Sequence, residues 1–298
     1  MATVLITGSS TGIGLATAVA LARAQHDVYA TMRNPDRSPE LPTIAHQESL
    51  PLTILRLDVD SDASVTQAVR QVLAERGHID ALVNNAGISP FGAVEDLPLD
   101  VFRQTMETNY FGALRCMKAV LPAMRARRSG CIINVTSVVG RIALGAHGAY
   151  TATKFALEAL SEALAQEVKP CNIRVVIVEP GIIQTALFDK LSEDPPASHY
   201  PHEGRLRALC AASLRSPVSP FVVGEAIRQI IESDSWQLRY PVGPDAVPFL
   251  EWRAAMTDEE WVTWNTPPND EAWYTQLESD FGLDARPFRG VRSIARGV

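Results

Sequence analysis

Short apolar runs alternate with longer amphipathic segments along the first 240 residues. Runs rich in β-branched residues at 3–7, 28–31, 53–57, 81–84, 131–136 and 174–178, each bounded by turn residues, predict buried strands, and a weaker run at 237–240 predicts a seventh. Segments 12–24, 62–76, 99–127, 148–168 and 222–233 carry apolar residues at helical spacing, several behind Asp or Ser caps. Strand and helix in alternation predict βα units, and right-handed crossovers between them make the sheet parallel, with helices on both faces. The expected class is α/β, a single domain built on a doubly wound parallel sheet of about seven strands. The rhythm fails over 184–220, rich in Pro, Ser and His, and over 241–298, rich in Trp, Pro and acidic residues. Neither stretch suits the sheet core, so the first is expected as an irregular lid and the second as a C-terminal extension.

Composition narrows the partners. The 298 residues are 46% hydrophobic and 20% charged, ordinary globular usage, and the net charge of -7 leaves no basic footprint for nucleic acid or anionic lipid. A small molecule is the expected partner. Cys116, Cys131, Cys171 and Cys210 show neither CxxC nor Cys/His ligand spacing, which predicts reduced thiols and no metal site. The chain opens directly into the strand TVLITG instead of a signal peptide, and no apolar run reaches membrane-spanning length. The expectation is a cytoplasmic protein that does not enter a membrane.

Candidate chemistry gathers where strands end. TGSSTGIG, residues 7–14, follows the first strand and opens the first helix. Its Gly8, Gly12 and Gly14 suit a tight turn and a backbone that approaches a pyrophosphate, with Ile13 between the last two and helix amides meeting the anion. At YTATK, Tyr150 and Lys154 are four residues apart on one helix face. A phenol with a reference pKa of about 10 is a poor base until a neighbouring cation favours its phenolate.

The spacing Gly-x-x-x-Gly-x-Gly, with NNAG at 84–87, YTATK, and Pro180 with Gly181, resembles the short-chain dehydrogenase/reductase family over about residues 3–185. The resemblance implies a Rossmann fold, a nicotinamide dinucleotide, and interconversion of an alcohol and a ketone by hydride transfer. It assigns Tyr150 as acid and base, and Lys154 as the residue that lowers its pKa and binds the nicotinamide ribose. Ser137, thirteen residues before Tyr150, orients the carbonyl, and Asn109 supports a water and proton relay to Lys154, although an amide within a helix also suits a purely structural role. Asp58 and Val59 flank the adenine, Asn85, Ala86 and Gly87 wall the adenosine, and Thr185 beside Pro180 and Gly181 holds the carboxamide. Asp58 and Thr185 equally suit helix caps.

The choice of dinucleotide rests on the end of the second strand, where a carboxylate would accept bonds from a ribose 2′-hydroxyl and repel a 2′-phosphate. Met32 stands where NAD-preferring members place Asp, and Arg33 follows. A planar guanidinium fork suits the phosphate, and Ser10 adds a hydroxyl; the plainer alternative is a solvated Arg33. NADP(H) is expected in preference to NAD(H).

Apolar Leu187, Phe188, Leu191, Tyr200 and Leu206 in the lid, with Val139, Ile142, Ala143 and Leu144 after Ser137, predict a pocket for a hydrophobic alcohol or ketone. Val139, Leu144, Leu187 and Phe188 are its expected contacts. VYATMRNP and the chain length resemble the steroid and retinol dehydrogenase branch. The rival function is an NADP(H)-sensing binding protein, against which Ser137, Tyr150 and Lys154 all argue; an epimerase-like or dehydratase relative would need a larger substrate domain. In this family the helices around Leu114 and Leu157 form a dimer seam, so a homo-oligomer is expected. The aromatic tail, Trp252, Trp261, Trp264, Trp273 and Tyr274, suits a substrate cover, a subunit interface, or packing against its own sheet edge.

Overall fold

The computed structural model describes residues 1–186 and 198–291. Seven strands, β1 (Thr3–Ile6), β2 (Asp27–Met32), β3 (Leu52–Arg56), β4 (Ala81–Asn84), β5 (Gly130–Val135), β6 (Ile173–Pro180) and β7 (Arg239–Val242), form one sheet. They lie in the order β3-β2-β1-β4-β5-β6-β7, every pair parallel. The helices are α1 (Gly12–Arg23), α2 (Glu40–Gln47), α3 (Asp62–Arg76), α4 (Leu99–Met106), α5 (Gly112–Arg127), α6 (Gly148–Val168), α7 (His202–Ser213), α8 (Phe221–Glu232), α9 (Ala246–Ala254), α10 (Asp258–Trp264) and α11 (Asp270–Phe281). The doubly wound parallel sheet matches the expected class.

Both faces of the sheet are covered, which is why its strands read as near-continuous apolar runs. Successive β1 side chains alternate: Val4 and Ile6 pack with Val19 of α1, Leu41 of α2 and Ile227 of α8. Leu5 packs on the other face with Val69 of α3, Met117 of α5 and Leu157 of α6. The strand order reverses between β1 and β4, and the crevice outside the carboxyl ends there is where an open α/β sheet receives a ligand.

Four departures from the sequence pattern have local causes. The helix expected over 99–127 is interrupted by a π turn at Glu107–Phe111, between α4 and α5. The short α2 was not expected, since only Leu41 of its eight residues is buried. β7 runs on through Pro241 and Val242, so the extension begins after the strand; as an edge strand it tolerates proline. The lid is not irregular where it is described, because α7 forms there. Its helical stripe is masked by charge: Glu203, Arg205 and Arg207 are buried, Arg207 pairing with Glu203 at 2.8 Å and Arg205 with Asp270 at 2.9 Å. The extension is likewise helical through α9, α10 and α11, and the acidic run 258–260 forms the first turn of α10 behind a Thr257–Glu260 capping box.

Candidate active site

The loop between β1 and α1 is held by its neighbour strand. Gly8 has φ +71°, and a Cβ there would lie 2.7 Å from Ala86 Cα; a Cβ on Gly14 would lie 2.3 Å from the Gly8 carbonyl oxygen. Asn85 Nδ2 donates to the carbonyls of Thr7 and Gly8, each at 3.0 Å. The Thr7 hydroxyl accepts from the amides of Asn85 and Ala86 at 3.0 and 3.1 Å. Thr11, before α1, makes no side-chain capping bond, leaving the first-turn amides to an anion. At the end of β2, Met32 is buried and Arg33 is exposed on the cavity rim. Asp58 and Val59 line the same wall, and Asp58 Oδ1 also accepts the Asp60 amide at 3.2 Å, a turn-stabilising role.

Ser137 lies two residues beyond β5 and caps a 3-10 turn, Val138–Gly140. Its Oγ accepts the Val139 amide and donates to the Pro180 carbonyl, both at 3.3 Å. Tyr150 and Lys154 lie in the first turns of α6, 9% and 4% exposed, with the Lys154 ammonium 5.3 Å from the Tyr150 ring centroid. Lys154 Nζ donates to the Val135 carbonyl at 2.9 Å. Desolvation pushes the Tyr150 phenol well above its usual value and pulls Lys154 down to about 8, with Glu158 working against that fall. Ser137, Tyr150 and Lys154 all line one cavity with the glycine loop.

Asn109 lies in the π turn, and its side chain makes three hydrogen bonds. Oδ1 accepts the Ile88 amide at 2.8 Å, while Nδ2 donates to the Ile88 carbonyl at 2.9 Å and to Thr153 Oγ1 at 3.0 Å. It braces the segment after NNAG against α6. His147 is sandwiched nearby: stacked on Tyr150 at 4.7 Å, edge-on to Phe91 at 4.7 Å, and bonded through Nε2 to Ser89 Oγ at 2.8 Å. Burial pulls its pKa down to about 3, so the ring is neutral.

Residues 2–196 match the family model for short chain dehydrogenases. The chain belongs to the short-chain dehydrogenase/reductase family. It is an oxidoreductase of the kind that acts on CH–OH groups. It is 38% identical over 245 residues to a 3-ketodihydrosphingosine reductase of Bacteroides thetaiotaomicron, covering 81% of this chain and 87% of that protein. Retinol dehydrogenase 8 of Homo sapiens is 38% identical over 251 residues, 80% of each chain. Among solved structures, a short-chain dehydrogenase from Streptomyces avermitilis aligns with a TM-score of 0.76 at 35% identity, covering 89% of this chain and 97% of its own. A gluconate 5-dehydrogenase from Burkholderia cenocepacia J2315, in complex with NADP and tartrate, aligns at 0.71 and 26% identity over 83% of this chain and 95% of its own.

In this family member the cavity measures about 1040 Å³ and brings together Gly8, Ser10, Gly12, Ile13, Arg33, Asn85, Ala86, Gly87, Pro180, Gly181 and Thr185. Gly14 is buried beneath the loop. Val139 and Leu144 line the wall as expected, whereas Leu187, Phe188 and Leu191 lie outside the described residues. Leu206 lines it too, but Tyr200 does not: it is exposed and its hydroxyl donates to Glu95. Ile142 packs as core, and Ala143 contributes its carbonyl to Trp261 Nε1 at 2.9 Å. Trp264 and Trp273 of the aromatic tail line the wall, and wall residues that the sequence pattern hid come from α7 and the extension: Leu209, Phe249, Leu277 and Phe281. Asp245 was also missed; its Oδ2 accepts the Ile182 amide at 2.8 Å and pins the loop after Gly181. Among the described residues no group of His, Cys, Asp or Glu is placed to hold a metal, and no helix is long and apolar enough to cross a membrane.

Proposed function

We propose that this chain is an NADP(H)-dependent oxidoreductase that interconverts a secondary alcohol and a ketone on a hydrophobic small molecule, with Tyr150 as acid and base. The observation that carries the reading is the single cavity, which runs from the glycine loop and Arg33, past Ser137, Tyr150 and Lys154, to an apolar wall of Leu206, Trp273, Leu277 and Phe281. The cradle fits a dinucleotide: Gly8 and Gly12 line it, and the tight turn that bares their backbone needs glycine, since a Cβ on Gly8 or Gly14 would strike Ala86 or the Gly8 carbonyl. Gly8, Ser10, Gly12, Ile13 and the first-turn amides of α1 would hold the pyrophosphate, and Asp58 and Val59 the adenine. Pro180, Gly181 and Thr185 would hold the nicotinamide side. Bound there, NADP(H) supplies or accepts the hydride.

The chain's own residues handle the proton. Tyr150 Oη gives its proton to the oxygen of a carbonyl being reduced, and takes it back when an alcohol is oxidised. Burial alone opposes the phenolate, so the ammonium of Lys154 must offset it through a water-poor cavity. The Ser137 hydroxyl turns its donor from the long Pro180 bond to the substrate carbonyl. Asn109 contributes as a brace through its side-chain bonds to Ile88 and Thr153, and the second lone pair of its Oδ1 is left for the water of the expected relay.

Preference for NADP(H) is supported by buried Met32 and exposed Arg33, and by the NADP in the gluconate dehydrogenase relative. A homo-oligomer is supported by exposed Leu99, Phe111 and Phe155 on neighbouring helical segments. Absorbance of NADPH and NADH with a panel of lipophilic ketones tests the reading. Faster turnover with NADPH is expected, and Met32→Asp with Arg33→Ala should shift the ratio towards NADH by about tenfold or more. A parent protein that already prefers NADH would refute the role of Arg33, and tight NADPH binding without turnover would favour a sensor.

A further inference from the structure

A cluster of charge lies behind the reacting groups. Glu158, one turn beyond Lys154 on α6, is 5% exposed. Its Oε1 accepts from Thr136 Oγ1 at 2.6 Å, and its Oε2 accepts from Arg239 Nε at 3.1 Å. Thr136 directly precedes Ser137, and the Val178 carbonyl, 3.1 Å from its hydroxyl, is the alternative acceptor for the same proton. Glu179, near the end of β6, is fully buried, and neither oxygen has a hydrogen-bond partner among the described residues. Arg239 Nε and Arg141 Nη1 stand 3.6 and 3.8 Å from it. Glu162, the next turn of α6, takes Arg239 Nη2 at 2.7 Å. Lys154, Glu158 and Glu162 of α6, Glu179 of β6, Arg239 of β7 and Arg141 after the 3-10 turn are the charged groups in play.

Two neighbouring buried acids do not both ionise freely. Burial raises Glu158 above the usual carboxylate range while the bonds from Thr136 and Arg239 work against that rise, whereas Glu179, desolvated, without such bonds and beside Glu158, is pushed up to about 7, so Glu158 is the better placed of the two to hold the negative charge. The resulting anion lies one turn from an ammonium that burial would otherwise discharge. We propose that Glu158 is a positioning residue for the reaction: tied to Thr136 and Arg239, it holds the strand end that carries Ser137 and supplies the negative charge that keeps Lys154 an ammonium. This rests on the roles given above to Tyr150 and Lys154.

Ketone reduction needs both protons of that pair, on the phenol and on the ammonium. Removing the Glu158 charge makes each easier to lose, so both effects move the alkaline limb of the pH profile the same way, to lower pH. The test is the pH profile of kcat/KM for NADPH-dependent reduction of a lipophilic ketone, with melting temperatures, for the parent, Glu158→Gln, Glu158→Asp and Thr136→Val. The Gln variant should move the limb down by roughly half a pH unit or more, about a threefold loss on that limb. The Asp variant should restore most of the shift, and Thr136→Val should lower kcat with the limb unmoved. Glu158→Ala replaces the Gln variant should that one not fold. A profile superimposable on the parent's, whatever the melting temperature, overturns the proposal. Failure of the underlying reading shows separately, as turnover that survives Tyr150→Phe.

Discussion

Burial works on Tyr150, Lys154 and His147 alike, since each is nearly closed off from water and each has its charged form penalised. For His147 this has a sign that can be measured. Its pKa falls from the usual value of about 6.5 to about 3, so between those values the unfolded chain binds the proton and the folded one does not. The stabilising contribution is present above pH 6.5 and is lost as pH falls towards 3, about 2 kcal/mol by pH 5. Urea unfolding at pH 7 and pH 5 should show a smaller acid loss for His147→Phe than for the parent; equal losses would contradict a buried neutral imidazole. Tyr150, Lys154 and the loop glycines were legible in the sequence because their chemistry dictates short spacings, and Ser137 through the family resemblance alone. The partners of His147 and Asn85 were not, because Ser89 and Thr7 lie 58 and 78 residues away along the chain.

Elements were legible where one face is apolar and the other polar. The helices α3 and α6 meet that condition, the strands and α1 were legible instead as near-continuous apolar runs, and α7 hides its stripe behind buried ion pairs while α2 has little to bury. Interruption of the 99–127 helix left no apolar signature, since a π turn changes the ladder without changing which residues are greasy. What that turn achieves is visible in the bonds of Asn109 to Ile88 and Thr153. Asn109→Ala leaves the part-buried Ile88 amide and carbonyl without those partners, and should cost about 2 kcal/mol in urea unfolding. A cost below about 1 kcal/mol would mean that the brace is not structural. At the other end of the chain, Thr257→Ala removes the capping box of α10 and should cost about 1 kcal/mol.

On the scale of the whole molecule, the sheet supplies a cofactor cradle at its switch point, and the C-terminal helices close the far side of the same cavity. Phe249, Trp252, Trp261, Trp264 and Phe281 form one network of ring contacts, and Trp261 ties it to the Ala143 carbonyl beside the catalytic strand end. Of the three roles open to the aromatic tail, covering the cavity is the one this packing supports. The proposed assembly of the outer helices has its own test. Sedimentation should give a mass above the 32.4 kDa of one chain, and Phe155→Glu should reduce it; an unchanged mass would remove that surface from the interface. The role proposed for Tyr150 is to carry the proton within a preformed dinucleotide cavity. Its most direct measurement pairs NADPH fluorescence titration with ketone turnover for Tyr150→Phe. The account predicts NADPH affinity within about threefold of the parent and turnover lowered at least about a hundredfold; near-parental turnover with intact binding would contradict it.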